Sequence, residues 1–317
     1  MAGFRKSLPQ LHGDFFLTDG GIETTLIFLD GLELPDFAAF DLFKRKDGEA
    51  ALRKYFRTYA ELARRFGTGL ILESATWRAS ADWGSRLGYS AKELADANRR
   101  AIGLLEEIRN ESKGDAEKVV ISGCVGPRGD GYNPGKAMSE KDAETYHGNQ
   151  IRVFADSASD MVTAITMNYM EEAVGIARAA ERSAMPVAIS FTVETDGRLP
   201  TGQPLRAAIE QVDAATSRYP SYYIINCAHP THFDHVLTEG EPWTQRVRGL
   251  RANASRKSHA ELNESPELDT GNPVELGTQH ARLKSRLSQL NVMGGCCGTD
   301  HRHVEQIASA CSPLFRK

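Results

Sequence analysis

The stretch from Val187 to Ile225 contains the pattern that decides the fold. Val187-Ala-Ile-Ser-Phe191 is a short run rich in apolar residues, and Tyr222-Tyr-Ile-Ile225 is a second run of the same kind. Between them, the segment Pro204–Ser217 has apolar residues at helical spacing. Two short strands separated by an amphipathic helix are typical of a parallel sheet, in which the helix connects neighbouring strands.

The same alternation extends in both directions along the chain. Because eight strands, most of them followed by helical sequence, fit a length of 317 residues, we predict a closed (β/α)₈ TIM barrel. An open doubly wound sheet is the alternative. We expect a single domain over residues 1–317, with its core at about residues 15–311. The other predicted strands are Phe15–Thr18, Gly69–Leu72, Val119–Ser122, Met161–Ile165, Val247–Leu250 and Val292–Met293, and the other predicted helices are Glu49–Phe66, Ser90–Glu111, Ser139–Ser157, Glu171–Arg182 and Pro273–Leu287.

Composition excludes several classes of protein. Hydrophobic residues make up 41% of the chain and charged residues 25%, which is enough for a substantial core. The net charge of −4 gives no basic surface for nucleic acid. No run approaches the roughly 18 apolar residues of a membrane span, and the N-terminal residues have no continuous apolar segment typical of a signal peptide. We therefore expect a soluble cytoplasmic protein whose partners are small molecules.

In a TIM barrel the active site lies at the C-terminal ends of the strands. The polar, glycine and cysteine residues of this chain fall at those positions. No nucleotide-binding glycine motif follows the first strand, since Asp19-Gly20-Gly21-Ile22-Glu23 matches neither G-x-G-x-x-G nor a P-loop. The strand-end residues include Asp19, Gly20, Gly21, Glu73, Thr76, Trp77, Asn226, Cys227, Cys296 and Cys297.

Three of the five cysteines can meet at this face. Cys227 ends the sixth strand, and Cys296-Cys297 follow the eighth, between Gly294-Gly295 and Gly298. Catalytic zinc sites use three protein ligands and keep a fourth position open, which such a set of thiols can supply. Buried packing and a redox switch are the alternative interpretations. We expect the remaining two cysteines, Cys124 and Cys311, to pack in the interior.

These motifs resemble the zinc-dependent homocysteine S-methyltransferase family, which includes betaine–homocysteine and S-methylmethionine–homocysteine enzymes. The resemblance rests on Asp19-Gly-Gly, Asn226-Cys227 and Gly294-Gly-Cys-Cys-Gly-Thr299, and it extends from about Phe15 to Ile307. It implies a TIM barrel with Zn²⁺ bound by Cys227, Cys296 and Cys297. It also implies transfer of a methyl group from a small sulfonium or quaternary ammonium donor to the homocysteine thiol, as in methionine biosynthesis.

The resemblance suggests further substrate-binding residues. Asp19, with Gly20 and Gly21, is similar to the family's substrate-binding motif, and a turn aspartate is the alternative role. Thr76 and Trp77 match a Thr-aromatic pair after the second strand, where Trp77 can pack a cationic donor or form part of the core. Glu73 and Asn226 are predicted to contact substrate, and Glu73 can instead hydrogen-bond loop backbone. Tyr132 is a weaker candidate for packing the donor.

The chain departs from the family pattern in two places. Many family members have a glutamate at the end of the fourth strand that binds the homocysteine amino group, and here the position is Ile165. Glu73 or Glu23 can replace that charge. The segment Arg248–Glu261 differs from the family after the seventh strand, and it is either a substrate loop or a solvated polar loop.

Two alternative functions follow from these observations. A different thiol or a selenol can be the acceptor, because Ile165 replaces the glutamate. The alternative from another class is a vicinal-cysteine redox sensor, which would oxidise Cys296 and Cys297, or a zinc-binding protein without turnover. His229, His301 and His303 are further candidate metal ligands, but Thr299-Asp300 also looks like the start of a helix.

Overall fold

A computed structural model describes residues 2–111, 118–265 and 267–315. Its eight strands run parallel and form one closed barrel, in which β1 pairs with both β2 and β8. All eight predicted strands are present, and most extend one to three residues beyond the prediction at their C-terminal ends. The strands are β1 (Phe16–Leu17), β2 (Gly69–Glu73), β3 (Val119–Val125), β4 (Met161–Met167), β5 (Val187–Thr192), β6 (Tyr222–Asn226), β7 (Val247–Ala252) and β8 (Val292–Gly295).

Helices surround the barrel and connect its strands. The six helices predicted by apolar spacing are confirmed as α1, α3, α4, α5, α6 and α9. Three short helices were not predicted, namely α2, α7 and α8. The helices are α1 (Lys46–Phe66), α2 (Ala81–Arg86), α3 (Ala91–Glu111), α4 (Glu140–Ala155), α5 (Met170–Arg182), α6 (Leu205–Ala215), α7 (Pro230–Phe233), α8 (His259–Asn263), α9 (Pro273–Arg286) and α10 (His301–Cys311).

The helix boundaries follow from local sequence. Ser90 precedes α3, where its N–H donates to Glu93 Oε2 at 2.8 Å and its Oγ accepts from the Glu93 N–H at 3.3 Å. Such a capping box satisfies backbone donors that the first helical turn leaves unpaired. Asp300 caps α10 in the same way, accepting from the Arg302 N–H at 2.9 Å. The predicted helix start at Thr299-Asp300 is therefore confirmed.

The barrel interior has an apolar lower part and a polar upper part. Residues two apart on a strand point to the same side, so the inward positions can be followed from the N-terminal to the C-terminal end of each strand. The lower inward residues form one apolar cluster: Phe16, Ile71, Val120, Met161, Ala188, Tyr222, Ile224 and Val292, with Leu8 packed below them. The buried positions two residues further along are polar in β2 to β6: Glu73, Ser122, Thr163, Ser190 and Asn226.

No helix among the described residues combines the length and apolarity that a bilayer crossing requires.

Candidate active site

The three predicted cysteines converge at the C-terminal ends of β6 and β8. The sulfur atoms of Cys227, Cys296 and Cys297 all lie within 4.8 Å of one another. The Cys227 and Cys297 sulfurs are 3.9 Å apart, and Cys227 and Cys296 are paired as a disulfide. Cys227 is buried, Cys296 is half-buried and Cys297 is exposed, so the cluster opens outward on one side.

This set of donors fits a thiolate-bound metal ion. Zinc binds cysteine sulfur at about 2.3 Å, which places tetrahedral ligands about 3.8 Å apart. The Cys227–Cys297 separation of 3.9 Å agrees with that spacing. Soft thiolate ligands also favour zinc over harder cations. Metal binding requires the Cys227–Cys296 pair in its reduced form, because the thiolate is the ligand.

Two non-glycine residues beside the cysteines have left-handed backbone conformations. Cys227 has φ +52° and Thr166, at the end of β4, has φ +65°. For a β-branched residue this conformation is a true outlier, and such strain persists only where surrounding contacts hold it. Asn226 provides those contacts: its Oδ1 accepts from the Thr166 N–H at 3.0 Å and its Nδ2 donates to Thr166 Oγ1 at 2.8 Å.

Asn226 also connects two strand ends to the cysteines. Its Oδ1 accepts from the Ser190 hydroxyl at 2.6 Å, and its Nδ2 lies 3.9 Å from Cys296 Sγ. The side chain is fully buried. Its contacts are therefore with the protein, and a direct contact with substrate stays a prediction.

Glycines let the loop after β1 pack closely against the cysteine loop. A Cβ atom on Gly21 would lie 2.6 Å from the Cys296 carbonyl oxygen, and one on Gly294 would lie 2.0 Å from Thr18 Oγ1. The Gly21 N–H donates to the Thr299 carbonyl at 3.1 Å. Because any side chain would push these segments apart, the glycines bring Asp19 and the cysteines to the same face.

A buried charge cluster lies under this face. Asp19 accepts from Tyr55 Oη at 3.0 Å and from Arg251 Nη2 at 2.5 Å. Glu73 Oε2 is 3.6 Å from Arg251 Nη1, and both Glu73 oxygens lack a hydrogen-bond partner among the described residues. Burial raises the pKa of Asp19, although Arg251 and Tyr55 oppose the shift. Burial also raises the pKa of Glu73 to about 7, against the opposing charge of Arg251.

Arg251 is the central residue of this cluster, and it was not recognised from the sequence. It lies on β7, in the segment Arg248–Glu261 that the sequence analysis interprets as a loop. The available signal was an arginine directly after the predicted strand Val247–Leu250, because a charge at the end of a buried strand needs buried partners. Glu23, beyond Asp19 on the first loop, is partly buried, and burial raises its pKa to about 7 with Asp19 contributing in the same direction.

Thr76 and Trp77 lie where they were predicted, after β2, with polar atoms bonded to the protein. Thr76 Oγ1 donates to the Cys124 carbonyl at 2.7 Å, and Trp77 Nε1 donates to the Ile165 carbonyl at 3.2 Å. The Arg78 guanidinium stands 4.1 Å from the Trp77 ring centroid. Trp77 therefore already contacts one cation, and its role toward a donor stays a prediction.

The loop after β7 packs against the cysteine site. The Ser258–Glu261 capping box begins α8, and it places His259 Nε2 at 2.5 Å from the Cys227 carbonyl oxygen. The His259 ring stacks on Tyr132 with centroids 4.0 Å apart, and Tyr132 Oη is 3.5 Å from Cys297 Sγ. His259 lies in the segment Arg248–Glu261, and no sequence pattern distinguished it from the other polar residues there.

The other candidate ligands lie outside the cluster. Among the described residues, only Cys227, Cys296 and Cys297 form a group of three or more His, Cys, Asp or Glu side chains close enough to share a metal ion. His229 caps α7, and His303 bonds to Asp300 and to the Thr270 carbonyl. His301 is exposed in the first turn of α10. Cys124 and Cys311 are buried and unpaired, as expected for packing residues.

The protein is a closed (β/α)₈ barrel with three thiols at the C-terminal ends of its strands. These thiols form a candidate thiolate metal centre. A sequence model of the family "Homocysteine S-methyltransferase" matches residues 16–311. The chain belongs to this family.

Two mammalian betaine–homocysteine S-methyltransferases are similar to this chain in sequence. The chain is 24% identical over 263 residues to betaine–homocysteine S-methyltransferase 1 of Rattus norvegicus, with 77% of this chain and 61% of the relative covered. The Bos taurus protein of the same name is 25% identical over 269 residues, with the same coverage. The chain thus spans 61% of the length of these relatives.

The fold is also that of a solved bacterial protein. The metallated form of the homocysteine methyltransferase MmuM from Escherichia coli superposes with a TM-score of 0.71 at 17% identity, covering 93% of this chain and 96% of that one. The oxidized form of the same protein gives a TM-score of 0.74 at 17% identity, covering 95% and 99%.

Proposed function

We propose that this protein is a zinc-dependent S-methyltransferase that methylates the thiol of homocysteine, giving methionine. The methyl donor is a small sulfonium or quaternary ammonium compound. The observation that carries the proposal is the convergence of Cys227, Cys296 and Cys297 at the C-terminal face of a barrel of this family. That reaction would give the protein a role in methionine biosynthesis, and a cytoplasmic location stays a prediction from the sequence.

Cys227, Cys296 and Cys297 would hold the metal and leave one position for the acceptor sulfur. Zinc bound there would keep a coordinated thiol deprotonated and therefore nucleophilic at neutral pH. In the reaction a sulfur–carbon bond forms as the donor's bond to the methyl group breaks. The onium sulfur or nitrogen keeps the electron pair of the broken bond, so that centre loses its positive charge and leaves as a sulfide or a tertiary amine.

The remaining work of the protein is to align the two substrates. Three carboxyl groups lie at or under the face, those of Asp19, Glu23 and Glu73. Arg251 lowers the pKa of all three, and Arg78 lowers that of Glu23, against the effect of burial. Because burial raises the pKa values of Glu23 and Glu73 to about 7, a cationic ligand group, such as an onium donor or the ammonium of an amino acid, would be bound by carboxyl groups that it helps to ionise. Gly20 and Gly21 keep the first loop close enough for Asp19 to take part.

Calorimetric titration of homocysteine into reduced, zinc-loaded protein tests this proposal, with metal-free protein as the control. We expect binding with proton release from the zinc-loaded protein and much weaker binding without metal. Onium donors are then screened for turnover. Absence of homocysteine binding to protein with verified zinc would contradict the acceptor assignment, and other thiols or a selenol would be titrated next because Ile165 provides no carboxylate.

The pairing of Cys227 with Cys296 favours a second candidate, a redox sensor without turnover. The two functions differ in what reduction produces. An enzyme gains one stable equivalent of zinc after reduction and turns over, whereas a sensor cycles between dithiol and disulfide without either. Metal analysis after reduction, followed by the donor screen, separates them.

A further inference from the structure

His259, Tyr132 and Glu194 form a clamp across the mouth of the barrel. Each comes from the loop after an odd-numbered strand: Tyr132 follows β3, Glu194 follows β5 and His259 follows β7. The cysteines come from β6 and β8. We propose that His259 is a positioning residue that fixes Cys227 in its metal-binding conformation, with Glu194 and Tyr132 orienting the imidazole. This inference rests on the proposed metal site.

Both ring nitrogens of His259 face hydrogen-bond acceptors. Nδ1 lies 3.0 Å from Glu194 Oε1, and Nε2 lies 2.5 Å from the Cys227 carbonyl oxygen. The two contacts hold the imidazole ring between the Glu194 carboxyl group and the Cys227 carbonyl group, so the ring is fixed at both of its nitrogens.

The clamp contacts Cys227, the cysteine of the site whose backbone is strained. Cys227 has φ +52°, a conformation that L-residues rarely adopt without surrounding contacts. Its N–H donates to the Arg251 carbonyl at 3.1 Å, and its own carbonyl receives His259 and, at 3.5 Å, the Thr192 hydroxyl. His259 makes the shortest of these contacts, at 2.5 Å, and it comes from α8, outside the barrel strands.

Stacking fixes the direction of the imidazole. The His259 and Tyr132 rings lie 4.0 Å apart at an interplanar angle of 29°, and the His259 side chain is only 9% exposed. The Tyr132 hydroxyl then lies 3.5 Å from Cys297 Sγ. The clamp thus contacts both Cys227 and Cys297, and it leaves Cys296 to the amide of Asn226.

The test compares His259→Phe with wild type in the reduced full-length protein. Phenylalanine keeps a ring against Tyr132 and removes both hydrogen bonds. Partners of metal ligands contribute about 10- to 100-fold in metal affinity, so we expect zinc affinity, measured by competition with a chromophoric chelator, to fall by that factor. The thiolate-to-metal charge-transfer absorption of the cobalt-substituted protein should shift, which a purely structural role would not cause.

Three further variants make the result specific. His259→Gln keeps one N–H donor for the Cys227 carbonyl and should recover part of the affinity. Glu194→Ala removes a side chain that is 35% exposed, so it should fold and should weaken zinc binding in the same direction by a smaller factor. His235→Phe is the matched control, because this exposed histidine also contacts a backbone carbonyl, that of Asp196, away from the site.

The outcomes separate this inference from the proposed function. Weaker zinc binding and a shifted cobalt spectrum in His259→Phe, with His235→Phe unchanged, support the clamp. If His259→Phe and Glu194→Ala both keep the zinc affinity and the cobalt spectrum of wild type, the clamp is overturned, and the proposed zinc site still stands. Wild-type protein that binds no zinc after reduction overturns both proposals. If His259→Phe does not fold, Glu194→Ala and His259→Gln decide in the same way.

Discussion

The two halves of the barrel interior differ in what their side chains do. In the lower half, Phe16, Ile71 and Val292 belong to an apolar cluster whose members are nearly or fully buried. In the upper half the inward positions two residues further along are polar, and Glu73 and Asn226 are equally buried there. The same strands therefore build a hydrophobic core at one end and a charged and strained site at the other.

This difference shows which part of the barrel contains the contributions that destabilise the folded state. Buried polar groups cost free energy unless they are paired, and left-handed backbone at a β-branched residue adds strain. In the upper half the two occur together, at Glu73, Arg251, Thr166 and Cys227, whereas the strand residues of the lower cluster are apolar apart from the Tyr222 hydroxyl. The lower half provides the hydrophobic stabilisation that tolerates them.

The largest effect on stability is expected from Arg251→Met. Removing this guanidinium leaves Asp19 and Glu73 buried without their cation, and breaking a buried ion pair costs about 3–5 kcal/mol. Urea unfolding of the reduced, metal-free protein measures the change. Arg248→Met, on the same strand but only partly buried, is the control and should stay within about 1 kcal/mol of wild type. Equal effects of the two variants would contradict a special role for Arg251.

A smaller effect is expected in the pH dependence of stability. The pKa of Glu73 is about 7 in the folded protein, against 4.5 for the ordinary side chain. The folded state therefore binds more protons between these values, so this group's contribution to stability is lost as pH rises from about 4.5 to about 7.

Replacement of this carboxyl group tests the sign of that contribution. Glu73→Gln should gain stability relative to wild type as pH rises through that window, by at most about 1.4 kcal/mol per pH unit. Urea unfolding at several pH values measures the difference, and the exposed Glu33→Gln serves as the control. A difference that shrinks with rising pH would show that Glu73 is charged and well paired in the folded state.

The smallest effect is expected in the lower half, from Ile71→Val. This buried residue loses one methylene in a closely packed cluster, which costs about 0.5–1.5 kcal/mol. Zinc affinity and turnover should equal those of wild type, because nothing in the lower cluster contacts the cysteines. A change in zinc affinity would mean that the two halves are coupled, and the comparison would need revision.

The sequence predicted the parts of the molecule that depend on local pattern. Apolar runs and helical spacing were sufficient for the eight strands and six of the helices, because burial imposes these periodicities directly. The convergence of Cys227 with Cys296 and Cys297 was also predictable, since strands six and eight flank strand seven and their C-terminal ends lie at the same face of the barrel. The family was recognised from the same glycine and cysteine motifs.

The remaining features depend on contacts distant in sequence. The partners of Arg251 are Asp19, in the loop after β1, and Glu73, at the end of β2. No local sequence pattern connects these three residues. His259 stands in a short helix whose length gives no periodic signal, and its partners Tyr132 and Glu194 come from two other loops. Their proximity is a property of the closed barrel, and it becomes visible only when the strand ends are assembled.

Zinc content is the measurement that tests the central claim most directly. Reduced wild-type protein reconstituted with zinc and freed of excess metal should contain one equivalent, and so should Cys311→Ala, whose thiol packs in α10. Cys227→Ser, Cys296→Ser and Cys297→Ser should each lose stoichiometric zinc and methyl transfer to homocysteine. A full equivalent of zinc with wild-type turnover in any one of these three variants would contradict the assignment of that cysteine and of the three-thiol site.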